Sequence, residues 1–287
     1  MSQAKVRIED LTSENVLDFL SPCFHPWLPP DPYVSDPAWR SAMQISVDWL
    51  TRMRSQGLRG KILYEHDVPI GLIEYMPVQH APMPLKGEGA LVLMCLHVDR
   101  MSADDPQRRG YGTRLLEEAK ADAASTSMPL VVLPERLGIG GQALQEMTSY
   151  FVHRGFAWVG VPGGRLLAHG DTSDMRVRYV PRRWTFRPVP GKVAVDVFWD
   201  PGCPHRMLVL SWLMEVERKM GGKVLVRAHN LAAKQVMEEV GDIRWYFIDG
   251  EPGPAGWPPT IDVFRRAIED AAKRADPGES RDFRSPK

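Results

Sequence analysis

The chain has 287 residues, a length that favours two domains, each able to bury a core of its own. Lys plus Arg and Asp plus Glu both number 36, so the formal net charge is zero and no general attraction to nucleic acid or to an anionic membrane is expected. No secretory segment opens the sequence, no apolar run is long enough to span a bilayer, and three cysteines make no disulfide framework, so we expect a cytoplasmic location.

Up to about residue 180, hydrophobic periodicity predicts the order β-α-α-β-β-β-α-β-α-β, which is typical of a mixed α/β sheet. The predicted helices are SENVLDFL, capped by Ser13, and residues 38–56, 112–125 and 141–153. The predicted strands are VRIEDLT, both arms of the hairpin KILYEHDVPIGLIEYMPV, ALVLMCLHV, PLVVL, FAWVG, and a last hairpin of RLLAH and MRVRYV.

Residues 181–192, PRRWTFRPVPGK, hold three prolines and four basic residues without periodicity and are predicted to be a linker. Over residues 193–275 strands alternate with helices, which predicts a small α/β sandwich. Its elements are VAVDVFW, helix 203–220, KVLVRAH, helix NLAAKQVMEEV, IRWYFID and helix TIDVFRRAIEDAAKR. Residues 276–287 have nothing to bury and are predicted to be a disordered tail.

A glycine-rich turn, QRRGYG at residues 107–112, stands between an apolar strand and a predicted helix. Such a turn presents backbone N–H groups without intrahelical partners, and the helix dipole adds positive potential, so it predicts a phosphate site. The sequence lacks the lysine-serine/threonine end of a P-loop, and a plain glycine-containing helix cap is the alternative. The expected contributors are Gln107, Arg108, Arg109, Gly110, Tyr111, Gly112 and Thr113.

The pattern [Gln/Arg]-x-x-Gly-x-[Gly/Ala] after a central strand resembles the coenzyme A pyrophosphate signature of GNAT-type N-acetyltransferases, and residues 107–112 match it fully. VPIGLIEYMPV, LHV and SYFVHRGF extend the resemblance over roughly residues 3–180. The resemblance implies a GNAT-type mixed sheet with splayed central strands over residues 1–180, and acetyl-CoA as co-substrate in the gap. It further implies that the backbone at Leu96 and Val98 bonds the pantetheine, with Phe151 among the cofactor contacts.

Acetylation of an amine needs a base for the amine proton and an acid for the leaving thiolate. His97 and Glu74 are the candidate bases near the splayed strand, with His80 on a nearby loop, although a hydrogen-bonded structural histidine is an equal reading of His97. In the family, a tyrosine often stands four residues before the Gly-Phe glycine as the acid. Phe151 occupies that position here, and Tyr150, the candidate acid, is rotated from it by about 100° on a helix.

The stretch FWDPGCPHRM, residues 198–207, places Cys203 at a helix start after a strand and resembles the thioredoxin-like fold. Arg206 replaces the second cysteine of Cys-x-x-Cys, so dithiol exchange within the motif is not possible. The helix dipole, His205 and Arg206 are expected to lower the pKa of Cys203, which makes it a candidate reactive thiol. A redox-inactive scaffold is the alternative. The domain order resembles GNAT proteins with a C-terminal thioredoxin-like domain of the YoaP type.

Each cysteine is followed two places on by a histidine, and Cys95 and His97 would share one face of a strand. That pairing suits a soft metal, but no Cys-x2–4-Cys pair is present and a buried apolar cysteine is the alternative, so we assign no metal.

The sequence therefore predicts an acetyl-CoA-dependent N-acetyltransferase whose acceptor, a small-molecule or peptide amine, attacks the thioester directly. The sequence does not decide whether the chain forms a homodimer. The alternative is a thiol or soft-metal handling protein centred on Cys203, with a non-catalytic coenzyme A-binding domain. A non-catalytic acyl-CoA-sensing module is a third class.

Overall fold

The computed structural model describes residues 6–23, 37–98, 110–137, 141–243, 245–253 and 261–274, and only the backbone of residues 141–144. The helices are Val16–Leu20 (α1), Pro37–Arg54 (α2), Tyr111–Ser125 (α3), Pro134–Leu137 (α4), Gly141–Val152 (α5), Pro204–Lys219 (α6), Lys234–Val240 (α7) and Ile261–Arg274 (α8), with a 3-10 turn at Ser21–Cys23. The strands are Val6–Asp10 (β1), Arg59–Glu65 (β2), Val68–Pro77 (β3), Leu85–Glu88 (β4), Leu91–Val98 (β5), Leu130–Val132 (β6), Ala157–Val161 (β7), Gly164–His169 (β8), Arg176–Tyr179 (β9), Val193–Trp199 (β10), Val224–Asn230 (β11), Trp245–Ile248 (β12) and Glu251–Pro252 (β13).

Seven strands form one mixed sheet in the order β1-β2-β3-β5-β6-β8-β7. The pair β5–β6 is parallel and the other neighbours are antiparallel. Helix α3 packs on β2, β3 and β5, while α1 and α2 belong to the core on the other face. This arrangement confirms the predicted mixed α/β sheet, whose centre is β5.

Strands β5 and β6 stay together only at their beginning. Leu91 and Val92 pair with Leu130 and Val131, whereas β5 continues to Val98 without a further partner on that side among the described strands. Opposite, the pairing of β5 with β3 shifts by one residue, which leaves Met94 as a bulge. The centre of the sheet therefore has an open gap next to the second half of β5.

Four further strands form a second sheet in the order β11-β10-β12-β13. Strand β10 is parallel to β11 and antiparallel to β12, and β12 is antiparallel to β13. Helices α6 and α8 pack on one another and share a buried apolar cluster with β10 and β12. The predicted alternation of strands and helices is confirmed, and β13 is an addition that the sequence did not predict.

Helix α2 connects the cores of the two sheets. Near its start, Trp39 and Ala42 lie in the cluster of the four-stranded sheet, while Trp49 and Leu50 lie in that of the seven-stranded sheet. Residues 181–192 carry only an isolated bridge and no helix or strand, and residues 276–287 lie outside the described part. Among the described helices, none combines the length and the apolar character that crossing a bilayer requires.

Three local expectations were wrong. Helix α1 has Asn15, not Ser13, at its N-cap position, and the Asn15 side chain accepts a hydrogen bond from the backbone N–H of Thr12. RLLAH and MRVRYV do not form a hairpin, because β8 pairs with β6 and β7 while β9 pairs with β4 in a separate ribbon. The helix predicted over NLAAKQVMEEV is only α7, and α4 and β4 had not been predicted.

Candidate functional site

Helix α3 begins directly after Gly110, whose backbone lies in the left-handed region at φ +73°. Glycine adopts this conformation without steric penalty. Tyr111, the first helical residue, is buried, and its hydroxyl donates a hydrogen bond of 2.7 Å to Oε1 of Glu65. Residues 107–109 of the predicted phosphate site lie outside the described residues. The described half of that site is therefore the N-terminus of α3.

Arg154 brings a cation to the first turn of α3. Its Nε donates to Oγ1 of Thr113 at 2.9 Å, and its Nη1 donates to the carbonyl of Tyr150 at 2.8 Å. The guanidinium lies 3.8 Å from the centroid of the Tyr150 ring. A cation beside a helix N-terminus favours an anion there. A Cβ on Gly112 would lie 3.4 Å from Oη of Tyr150, an ordinary contact distance that places the tyrosine hydroxyl beside this turn.

Tyr150 and Phe151 lie in different surroundings. The hydroxyl of Tyr150 is buried beside that of Thr113 and has no hydrogen-bond partner of ordinary geometry among the described residues, and burial raises its pKa. Phe151 is 0% exposed, and its ring packs edge-on against Tyr150 and Phe156. Phe151 has no accessible surface to offer a cofactor, so its assignment to cofactor binding is corrected to a packing role.

All three cysteines line one cavity between the two sheets, which we call the thiol cavity. Cys23 ends the 3-10 turn, Cys95 lies on β5, and Cys203 directly precedes α6. The cavity has a volume of about 180 Å³. Leu96, in the half of β5 that borders the gap, also lines it, together with Leu137 of α4. The thiol cavity therefore reaches the gap in the centre of the seven-stranded sheet.

Glu74 of the seven-stranded sheet places its carboxyl group in the wall of this cavity. It lies on β3 opposite Cys95, is 7% exposed, and its Oε1 has no hydrogen-bond partner within the described residues. Burial raises the pKa of Glu74 to about 8, with a smaller contribution from the charge of Asp200. At neutral pH the group is mostly protonated, yet it ionises close enough to neutrality to act as a base.

The opposite wall of the thiol cavity comes from the segment that precedes and begins α6. Asp200 accepts a hydrogen bond of 2.5 Å from Nη1 of Arg206, and both side chains are largely buried. Gly202 lies against Trp49 of α2, since a Cβ there would come within 2.7 Å of the indole ring. A residue other than glycine at position 202 would displace this ring, so the glycine allows the two sheets to meet closely at the cavity.

The structure places His97 on the same face of β5 as Cys95, opposite Leu72, but not among the described residues that line the cavity. His80 does not line it either. His205 is neutral, because burial lowers its pKa to about 4, and its Nε2–H donates to the carbonyl of Cys23 at 2.6 Å. Glu74 is therefore the predicted base that the fold brings to the cavity.

The expected acidity of Cys203 is wrong. Burial and the charge of Asp200 raise its pKa to about 11, and the opposing effect of Arg206 is smaller. His205 contributes no positive charge because it is neutral. Burial also raises the pKa of Cys23 and Cys95. Within the described part of the chain, no three side chains of the metal-ligating types are arranged to hold a metal ion.

The sequence did not indicate several residues at the N-terminus of α3 and in the thiol cavity. Arg154 stands directly before the Gly-Phe pair of SYFVHRGF, so that motif carried a signal for it. Asp200 and Trp49 carry no local signal, because they reach the cavity only when the two sheets meet. Arg136, whose side chain is 1% exposed, also carries no local signal, because its partner Asp242 lies across the contact between the two sheets.

The chain and its structure were compared with known proteins. No protein-family model and no curated protein sequence matches the chain. Solved structures that resemble it include acetyltransferases of the GNAT family. One from Brucella melitensis, solved with acetyl-CoA, is 16% identical with a TM-score of 0.38 over 61% of this chain and 96% of that one. PaiA N-acetyltransferase from Thermoplasma acidophilum, solved with coenzyme A, is 14% identical with a TM-score of 0.37 over 57% and 97%. An acetyltransferase from Thermus thermophilus is 14% identical with a TM-score of 0.37 over 62% and 99%.

Proposed function

We propose that the chain is an acetyl-CoA-dependent N-acetyltransferase that acts on a small amine in the thiol cavity. The observation that carries this proposal is Glu74, a buried carboxyl group without a hydrogen-bond partner among the described residues, in a cavity that reaches the gap of the sheet. A buried, unpaired carboxyl group destabilises a fold, and groups of this kind are concentrated at functional sites. An amine that enters the cavity would supply the missing partner.

The donor side of the proposed site is the gap beside β5 together with the N-terminus of α3. The QRRGYG signature and its resemblance to the GNAT-type enzymes assign the pyrophosphate of acetyl-CoA to residues 107–113, and Arg154 adds a cation there. The backbone at Leu96 and Val98 would bond the pantetheine, since β5 has no strand partner beyond Val92 on that side within the described residues. The thioester would then meet the thiol cavity where Leu96 lines it.

The reaction we propose is direct acetyl transfer. The neutral amine nitrogen attacks the thioester carbonyl carbon, a C–N bond forms, and the C–S bond breaks. Glu74 takes the proton that the amine loses, and the departing thiolate takes one proton to become the thiol of coenzyme A. Tyr150 is kept as the candidate donor of that proton on the resemblance of SYFVHRGF to the family's signature alone. His97, the other candidate base, is not among the described residues that line the cavity.

We also propose that residues 193–275 are a thioredoxin-like domain, joined by the linker 181–192 to the acetyltransferase domain 1–180. The order β11-β10-β12-β13, with one parallel and two antiparallel pairs and a helix after each of β10, β11 and β13, supports this assignment. The domain would act as the wall of the acceptor site. A cytoplasmic location stays a prediction.

Replacement of Glu74 tests the proposed function. The release of coenzyme A thiol from acetyl-CoA is followed with a panel of small amines, for the wild-type protein, Glu74→Gln and the exposed control Glu118→Gln. Loss of the base should lower kcat by about 100-fold or more, with the Kd for acetyl-CoA unchanged and Glu118→Gln at the wild-type rate. Wild-type turnover by Glu74→Gln would exclude Glu74 as the base, and no binding of acetyl-CoA would exclude the function.

A thiol-handling protein is the second candidate, favoured by the convergence of Cys23, Cys95 and Cys203 on one cavity. Their raised pKa values count against a reactive thiolate. Replacement of Cys203 by serine separates the two candidates. Acetyl transfer at the wild-type rate by Cys203→Ser would leave the thiol no part in that reaction, whereas thiol alkylation at neutral pH that is lost only in this variant would favour the second candidate.

A further inference from the structure

The thiol cavity limits the size of what it holds. Its volume is about 180 Å³. For scale, an apolar cavity of about 150 Å³ in a protein core holds one benzene molecule. The cavity therefore suits a group the size of one aromatic ring or a short branched chain, and it has no room for a second ring of similar size.

The wall of the cavity is mostly apolar. Phe19, Trp49 and Leu72 line it from the seven-stranded sheet and its helices, and Trp245 lines it from the four-stranded sheet. The three cysteines behave as small apolar groups, because their thiols are protonated at neutral pH. Such a wall favours a ligand with an apolar body, whose burial releases water from both surfaces.

The charged groups of the wall leave a place for one cation. Arg206 is paired with Asp200 at 2.5 Å, and Arg136 donates to Asp242 at 2.9 Å. Among the described residues that line the cavity, Glu74 is the one Asp, Glu, Lys or Arg side chain that belongs to neither of these ion pairs, and it lacks a hydrogen-bond partner there. An ammonium group beside ionised Glu74 leaves the cavity neutral. A ligand carboxylate would meet the negative charge of Asp200, and the charge of each arginine is already balanced by a carboxylate.

We infer that the acceptor is a compact, apolar primary amine without a carboxylate, and that Asp200 is the residue that excludes carboxylates. This inference rests on the proposed function and names the substrate class of the same site. Asp200 acts by balancing the charge of Arg206, with which it is paired at 2.5 Å. The segment before α6 thus contributes a specificity-determining residue to a site whose base, Glu74, lies on β3.

Three acceptors of one framework test the inference on the wild-type protein. Phenethylamine, phenylalanine and phenylalanine amide are compared by kcat/KM for the release of coenzyme A. Because a ligand carboxylate would be buried beside the like charge of Asp200, phenethylamine should exceed phenylalanine in kcat/KM by about 100-fold or more. Phenylalanine amide has the size of phenylalanine without its charge, and it should stay within about tenfold of phenethylamine.

Variants then test whether Asp200 sets the preference for an amine without a carboxylate. Asp200→Asn should release Arg206 for a ligand carboxylate and narrow the preference for phenethylamine over phenylalanine by about tenfold or more. The double variant Asp200→Asn/Arg206→Gln should restore the preference, and the exposed control Asp174→Asn should keep it. The comparison on the wild-type protein decides the substrate class even if a variant does not fold.

Several outcomes overturn the inference. Equal use of phenylalanine and phenethylamine would exclude selection against the carboxylate, and rejection of the amide together with phenylalanine would show that size, not charge, decides. If acetyl-CoA binds but only longer peptides or polyamines are acetylated, the substrate class is wrong while the proposed function stands. If no amine accelerates the release of coenzyme A, the proposed function itself is wrong.

Discussion

At the scale of single residues, the central feature is the proton held by Glu74. The carboxyl group is buried in a mainly apolar cavity, and the nearby charge of Asp200 adds to the penalty for ionisation. Cys23, Cys95, Cys203, Arg206 and Arg136 also face this cavity. The sequence indicated Glu74 as a base because of its position near the splayed strand. Its raised pKa could not be predicted, since it depends on burial by a distant part of the chain.

The raised pKa of Glu74 predicts how stability changes with pH. Between its ordinary pKa of 4.5 and about 8, the folded state keeps a proton that the unfolded state has lost. The free energy of unfolding therefore falls as pH rises through this window, by at most about 1.4 kcal/mol per pH unit from this group. Glu74→Gln lacks this contribution, so its Tm relative to the wild type should increase from pH 5 to pH 8. A Tm difference that is constant over this range would contradict the assignment.

At the scale of elements, the parts with a strong local pattern were predicted well. The apolar run of β5, the helix after QRRGYG and the hairpin of β2 and β3 form as expected. The pairing of RLLAH and MRVRYV was wrong because alternation identifies a strand but not its partner. Position 15 is the N-cap of α1, instead of Ser13, because the side chain of Asn15 is held by the N–H of Thr12 and the carbonyl of Asp10.

The first turn of α3 provides a prediction at this scale. Arg154→Met removes the cation that bonds Thr113 and should weaken the binding of acetyl-CoA about three- to tenfold, because an anion at this helix N-terminus loses a neighbouring charge. Calorimetry measures the change, with the exposed Arg218→Met as a matched control. The effect should shrink in high salt. Unchanged affinity in Arg154→Met would place the pyrophosphate away from α3.

At the scale of the whole molecule, side chains far apart in sequence join the two sheets. Lys234 of α7 donates to the carbonyls of Val78 and Ala81 at 3.0 and 2.7 Å, and His205 donates to that of Cys23. Local patterns carry no signal for such contacts, so the sequence predicted two units but not the cavity between them. The convergence of the three cysteines could not be predicted for the same reason.

The ion pair of Arg136 and Asp242 tests this contact between the sheets. Arg136→Met leaves a largely buried carboxylate with fewer partners and should lower the free energy of unfolding by about 3 kcal/mol. Arg136→Met/Asp242→Leu removes both charges and should recover part of that loss. Denaturation of the two single variants and the double variant gives the coupling energy. Strictly additive effects would show that the pair does not hold the sheets together.

The pH dependence of acetyl transfer tests the central claim, that Glu74 is the base, most directly. The ratio of kcat/KM between the wild type and Glu74→Gln is measured from pH 5.5 to 9.5 with one amine, so that the titration of the amine cancels. The ratio should rise about tenfold per pH unit below pH 8 and level off above it, where Glu74 is mostly ionised. A ratio that does not change with pH would contradict the claim.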